Sequence, residues 1–526
     1  PPLKERITLD ELDKVVPIEA WQKRTAPSVL IGVADIPQAQ KQEAVAIDLS
    51  KDGNILLYGS PSTGKTTFLQ TAAMDLARKQ SPENLTMYLL DFGTNGLAPL
   101  TQLPHVSDSL LLDQTEKIQK FIRIINRELD RRKKLLSEHG VGTIALYREV
   151  TGKQEPTMVI LMDSYESMKD EPYETDLFKL FMRISREGLS IGVHLIITAS
   201  RQNNLRAQLY SNFKHQLTLP QNDISEVRGI VGATPLASTM EDIKGRALMK
   251  RDEVDVVQFA LPVAGDNDIQ IINNLRDQVQ SLKEMWTGQT PAGIPMVPDE
   301  LTIQNFMSMP TTRKVIEDHQ LPVGLELEEV ETIGLPMKKL KHLMLLSDKD
   351  SSLSLVTKHM IRTVVETVSG HKVTILDPTD EYKTFVASVN NYVPSTSDFK
   401  SVIEQLKEQV HYARQNGGDF EHYIFITDMG QFVSESGVET NDIGLLMEEG
   451  LKVGLHFVFS MHKNFISAYN DTAKYLKSQL DTALIAMKMS DQTIFTRTSI
   501  GREEALPEDQ VYLHYQASQT KLKITK

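Results

Sequence analysis

A chain of 526 residues is too long for one hydrophobic core, and a make-up of 40% hydrophobic and 24% charged residues is that of an ordinary folded protein, so two or more globular domains are expected. It has no apolar run of the roughly 18 residues that cross a bilayer and no signal-peptide pattern at its start, which points to a soluble piece, cut at most from a longer membrane-bound chain. The 57 basic and 70 acidic residues give a formal charge of −13, against a global grip on DNA or anionic lipid; the absence of cysteine excludes disulfides, iron–sulfur clusters and thiolate zinc sites and fits a reducing cytoplasm.

In chain order, the first informative element is a short apolar strand over 54–58. Gly59-Ser60-Pro61-Ser62-Thr63-Gly64-Lys65-Thr66-Thr67 follows it directly, and a helix is predicted from about Lys65. This is G-x-x-x-x-G-K-[ST] in the strand–loop–helix setting that a P-loop requires. The glycines let the backbone turn its N–H groups toward phosphate, Lys65 reaches the β- and γ-phosphates of ATP, and the Thr66 hydroxyl ligates Mg2+. A second strand is predicted over 87–90, ending in Asp91. Over 114–139, Ile118, Phe121, Ile122, Ile125 and Leu129 share one helical face, with Gly140 as the stop.

The strand at 158–162 ends in Asp163, the acid a P-loop needs to hold magnesium through water. Motors of this kind usually carry a second acid at the next position to polarise the attacking water, but here it is Ser164, and Glu166 is the nearest substitute. The helix carrying Leu177, Leu180, Phe181 and Ile184 puts Arg183 and Arg186 on its polar side, where one could serve a neighbouring copy as an arginine finger. A strand over 194–198 is followed by Ser200, placed to sense a γ-phosphate; His194 at its start is expected to be structural.

The same plan then recurs. Strands are predicted over 342–346, 372–376, 423–427 and 456–459, and REGLSIGVHLIITAS pairs without a gap with EEGLKVGLHFVFSMH, matching His194 to His456. Strands alternating with amphipathic helices argue for parallel α/β sheets, and the repeat is a duplicated domain. The fold class expected is two tandem RecA-like P-loop NTPase domains with mainly parallel central sheets. The boundaries expected are 1–290 for the first, 291–298 for a stiff Pro-rich linker, and 299–526 for the second. In the second copy SDKDSSLS (347–354) stands where the P-loop would be: Leu353 replaces the lysine, and Asp348 and Asp350 bring negative charge to the phosphate position. Aligned by string, Asp428 matches Asp163 and Gln431 matches Glu166. This half reads as a pseudo-ATPase kept for its surface.

GSPSTGKTT, MVILMDSYESM, REGLSIGVHLIITASRQN and GRALM…VVQFALP resemble the FtsK/SpoIIIE-type motor ATPases, and the intact-then-degenerate tandem is similar to the last two modules of the EssC/EccC family of type VII secretion ATPases. The resemblance implies ATP and Mg2+ as ligands, with Lys65, Thr66 and Asp163 carried over by motif. It also implies a hexameric assembly, membrane attachment through segments upstream, contact with other secretion-system membrane components, and export of small WXG100-type proteins. Two other readings stay open: a double-stranded DNA translocase of the same superfamily, and a scaffold that binds ATP without turning it over. The acidic balance makes DNA the weaker partner, and the strand-like end VYLHYQASQTKLKITK leaves no room for a winged-helix reader.

Overall fold

The apolar runs of the first half build a 10-stranded sheet. Its strands are β1 (Ser28–Ile36), β2 (Lys41–Asp48), β3 (Ile55–Tyr58), β4 (Leu85–Asp91), β5 (Val106–Leu111), β6 (Thr157–Asp163), β7 (Val193–Ala199), β8 (His215–Thr218), β9 (Arg246–Lys250) and β10 (Val254–Phe259). They lie in the order β2-β1-β10-β9-β8-β3-β7-β6-β4-β5. From β8 to β5 neighbouring strands are parallel, and β3, β4, β6 and β7 are apolar and buried throughout, as central parallel strands must be. The remaining pairs, through β9, β10, β1 and β2, are antiparallel. This antiparallel wing, like β5 and β8, goes beyond the four strands expected in each half; β2, exposed or half-buried along most of its length, carries no continuous apolar run, whereas β1 is buried from Val29 to Ala34.

In this computed structural model residues 1–336, 338–367, 372–418, 421–498 and 501–526 are described, and the chain divides into two units, Pro1–Ile294 and Pro295–Lys526. Unit 1 covers one sheet face with α1 (Lys65–Lys79), whose Phe68, Leu69, Ala72 and Leu76 join one core with β1, β3 and β4. Each such Leu or Phe contributes about 1.5–3 kcal/mol by leaving water. α2 (Thr115–Glu138) and α3 (Glu174–Ile191) pack on each other, burying the stripes predicted for them. Gly140 follows α2 in the left-handed region at φ 62°. α4 (Asp268–Met285) adds Leu275, Val279 and Leu282 to the core of α1. Inside α1, fully buried Asp75 accepts from the Leu30 amide at 2.7 Å and pairs with Arg78 and Lys79, so its charge is compensated and ties the helix to β1.

Unit 2 repeats the sheet strand for strand. β11 (Gln320–Glu326), β12 (Thr332–Pro336), β13 (Leu343–Ser347), β14 (Lys372–Leu376), β15 (Asn391–Val393), β16 (His422–Ile426), β17 (Leu455–His462), β18 (Ala483–Ile485), β19 (Gln510–Tyr515) and β20 (Ser518–Lys523) form a second 10-stranded sheet. Its order, β12-β11-β20-β19-β18-β13-β17-β16-β14-β15, is that of unit 1 with each strand replaced by its counterpart. His194 and His456 occupy the same place in β7 and β17; both are buried, and His456 stacks on Tyr423 at 5.3 Å. Among the described residues no helix is long and apolar enough to cross a membrane.

Candidate nucleotide site

The loop at 59–64 leaves β3 at the edge where the parallel strands end, and both its flanks are held by the fold. Gly59 donates to the Ala199 carbonyl at 3.2 Å and Ser60 to that of Pro220 at 3.0 Å; Gly245 donates to Thr63 at 2.8 Å. Gly64 sits at φ 115°, where a Cβ would be strained and would lie 3.1 Å from the Gly245 nitrogen, so this position demands glycine. Gly64 gives α1 no side-chain cap, and the first-turn N–H groups are left for an anion. The Lys65 ammonium donates to the Gly59 carbonyl at 2.5 Å. Burial lowers its pKa, and the nearby Glu166 and Asp163 carboxylates oppose that shift. An ammonium in this setting is a receptor for further negative charge.

The neighbouring strands bring a polar row to the same edge. Leu57 is in register with Thr198, and Asp91 with Asp163, so β7, β6 and β4 present Thr198, Asp163 and Asp91 side by side. Asp163 is 2% exposed; its Oδ1 accepts from the Thr198 hydroxyl and its Oδ2 from the Thr66 hydroxyl, each at 2.7 Å. Ser164, in the left-handed region at φ 65°, turns the chain sharply and donates its N–H to Thr198 Oγ1 at 3.0 Å. That turn carries Glu166 back to accept from the Ser200 N–H at 3.2 Å, while the Ser200 hydroxyl bonds to Asn204 Oδ1 at 2.8 Å. Lys65, Thr66, Asp163, Glu166 and Ser200 therefore meet at one place.

Arg186 does not join them. It is exposed in the second half of α3, which runs toward the sheet edge where β7 begins, away from its own P-loop. Arg183 is engaged by Asp130, Glu187 and Asn126. Sequence reasoning missed Thr198 and the glycine loop after Asp91. Yet a Cβ on Gly96 would lie 2.1 Å from Thr66 Cγ2, and one on Gly93 3.0 Å from Asp163 Oδ2, so this loop rests on both residues. FGTNG, two glycines just past a strand-end acid, was the available signal. Burial chiefly, with a contribution from the charge of Asp163, raises the pKa of Asp91.

The donor set suits magnesium. A hydroxyl and a carboxylate are hard oxygen ligands, and among the described residues no cluster of three or more His, Cys, Asp or Glu competes for another metal. A cavity of about 420 Å³ adjoins the loop and is lined by Arg6, Thr67, Thr94, Lys244, Phe259 and Ile271 among others, a size fit for a nucleoside.

Unit 2 closes the corresponding edge. β13 runs one ladder step further than β3, pairing Ser347 with His462, and α5 (Asp350–Thr367) starts at Asp350, three positions before the residue matching Lys65. Only 348–349 connect them, so the loop that could wrap a phosphate is gone, and Leu353 is 7% exposed within the core. His462, matching Ser200, bonds across the gap to the Asp348 carbonyl at 2.9 Å, and the Ser347 hydroxyl donates to Ala486. The string alignment of Asp428 with Asp163 is corrected by the ladders. Met162 pairs with Ile197 and Ile426 with Phe459, which makes Thr427 the residue in the place of Asp163. Asp428 lies one position on and instead caps α6 (Met429–Ser436), accepting from the Gln431 N–H at 3.0 Å.

The FtsK/SpoIIIE family model matches residues 18–237. The chain is 32% identical over 525 residues to the type VII secretion system protein EssC of Staphylococcus aureus strain MSSA476, covering 98% of this chain and 35% of that protein, so it spans about a third of the relative's length. It superposes on EssC ATPases 2 and 3 of Geobacillus thermodenitrificans with a TM-score of 0.87 at 25% identity, covering 100% of this chain and 99% of that one. Thermomonospora curvata EccC ATPases 2 and 3, solved with a signal sequence peptide, share the fold at a TM-score of 0.60 and 20% identity, covering 100% and 99%.

Proposed function

We propose that this chain, which carries an FtsK/SpoIIIE-type domain and is similar along its length to ATPases 2 and 3 of EssC, is the cytoplasmic tandem-ATPase portion of a type VII secretion ATPase, in which unit 1 alone binds and hydrolyses ATP. The observation that carries this reading is the hydrogen bond of Thr66 to Asp163 at the mouth of a clamped P-loop; in unit 2 Ser354 keeps the hydroxyl but Thr427 stands in the place of the carboxylate. Lys65 and the loop amides take the phosphates, Thr66 and Asp163 hold Mg2+, and the 420 Å³ cavity receives the nucleoside. Bound Mg2+ would supply positive charge to neutralise the phosphates. Glu166, held by the Ser200 amide, accepts a proton from the attacking water, and Ser200 reads the γ-phosphate. Arg186, facing away from its own site, serves a neighbouring copy in a hexameric ring. Unit 2 offers a docking surface for WXG100-type substrates, and membrane attachment comes from segments outside this chain.

Calorimetry of ATP with Mg2+, and phosphate release with and without substrate dimers, test this on the wild type and Lys65→Ala. The substitution is expected to weaken ATP by on the order of a hundredfold, the worth of a charge-assisted phosphate contact. Equal phosphate release from the two proteins would sink the hydrolysis reading. A second reading, ATP as a structural ligand only, is favoured by Ser164 in the position after Asp163, and it is met by a wild type that binds ATP and releases no phosphate even with substrate.

A further inference from the structure

Asp91 and Asp377 occupy the same place in the two sheets, since the β4–β6 ladder pairs Leu90 with Met162 and the β14–β16 ladder pairs Leu376 with Ile426. The aspartates are the next residues on and differ only in what surrounds them. In unit 2 every direction around Asp377 is taken. Its Oδ1 accepts from the Thr379 amide and hydroxyl and from the Thr427 hydroxyl; its Oδ2 accepts from the Tyr382 amide and the Tyr392 hydroxyl. This is how a buried carboxylate is ordinarily kept. In unit 1 Asp91 is 4% exposed, its Oδ2 accepts from the Leu97 N–H at 3.2 Å, and its Oδ1 has no hydrogen-bond partner among the described residues. The N–H groups of Gly93 and Asn95 are near enough to favour the charged form, but neither closes a bond to Oδ1.

The open oxygen stands beside the proposed metal site. Asp91 is the ladder partner of Asp163 and projects from the same sheet face. Gly93 leaves vacant the place where a Cβ would lie 3.0 Å from Asp163 Oδ2. Magnesium keeps several of its waters, and each has hydrogens to give. Asp163 already accepts from Thr198 on Oδ1 and from Thr66 on Oδ2, which limits what it offers to such waters. A second acceptor is needed, and Asp91 Oδ1 is a buried acceptor on the adjacent strand.

We propose that Asp91 is a second carboxylate of the magnesium site, accepting a hydrogen bond from a metal-bound water beside the one held by Asp163. It is a positioning residue for the ion, and the proposal rests on the reading of unit 1 as an Mg2+–ATP site. Unit 2 supplies the internal contrast: where Thr427 replaces Asp163, the same aspartate is consumed by its own loop.

The test uses the whole 526-residue chain with a fluorescent ATP analogue, titrating Mg2+ at fixed nucleotide, and repeating nucleotide binding in EDTA. Asp91→Asn keeps an acceptor for the Leu97 amide but turns a donor toward the water. It is expected to raise the half-saturating Mg2+ by about ten- to a hundredfold, the usual cost of losing an outer-shell partner, with metal-free nucleotide binding and melting unchanged. Asp377→Asn should leave the Mg2+ titration alone and lower melting. Should Asp91→Asn not fold, Asp91→Ser is read by the same titration. An unchanged Mg2+ requirement overturns the proposal. So does a loss of metal-free nucleotide binding together with melting, which would make Asp91 only an anchor of its loop. A wild type whose nucleotide binding ignores Mg2+ contradicts the P-loop reading itself, and is thereby told apart from failure of the proposal alone.

Discussion

Units 1 and 2 thread their strands in the same order, yet the edge where β3 and β13 end is open in one and closed in the other. In unit 1 the chain leaves β3 through a loop with two residues, Ser62 and Gly64, at positive φ. In unit 2 the ladder gains a step, the helix starts early, and His462 bonds across what remains. The core barely registers the change: Leu345 and Leu346 are as buried as Leu56 and Leu57. A sheet is held by its strands and helices, and a site by a few residues at its edge, so the second can vanish without loss of the first.

The largest expected break in this comparison is at Glu166. Glu166→Gln should leave ATP affinity in place and slow single-turnover hydrolysis by about a hundredfold or more, the usual contribution of a positioned base. Hydrolysis at the wild-type rate would move the water-activating role elsewhere.

Acid should separate the units next. Burial lowers the pKa of His105 and His194 in unit 1, and of His342, His359 and His422 in unit 2, each to about 4. These imidazoles are neutral in the fold, while the unfolded chain takes up a proton near 6.5. The stability they carry is full above that pH and is lost as pH falls toward 4, by up to about 3 kcal/mol per histidine. Unit 2, with one more such histidine among the described residues, is expected to lose hydrogen-exchange protection first on lowering the pH to 5; simultaneous loss in both units would argue that other groups govern acid unfolding.

A smaller effect is expected at the glycine loop. Gly96→Ala drives a methyl against Thr66 and should weaken Mg2+–ATP by about tenfold, since overpacking of this kind costs about 1–3 kcal/mol. Equilibrium titration with Mg2+ and nucleotide reads it directly. The smallest expected effect is none. Leu353→Lys in the Lys65→Ala background restores the missing letter in unit 2 without the loop, and calorimetry should detect no regained ATP; any recovery would show that unit 2 keeps a latent site.

Much of this was legible in the residues. The P-loop is a local signal, because strand, turn and helix lie within one short stretch, and the same holds for Asp163 at the end of an apolar run. The duplicated order of strands was legible from the repeat of buried β-branched runs. The antiparallel wing was not, because strands such as β2, exposed at alternate positions, carry no continuous apolar run.

What the chain could determine alone was which unit carries the P-loop motif, since that depends on neighbours in sequence. Only the tertiary structure could decide that Thr427, and not Asp428, stands where Asp163 does: a one-residue slip of register turns every side chain to the other face, and ladders, not letters, set register. The same holds for Asp91 and Asp377. As letters they are identical strand-end acids; Tyr392 and Thr427, brought from other strands, saturate one and leave the other with an oxygen to spare.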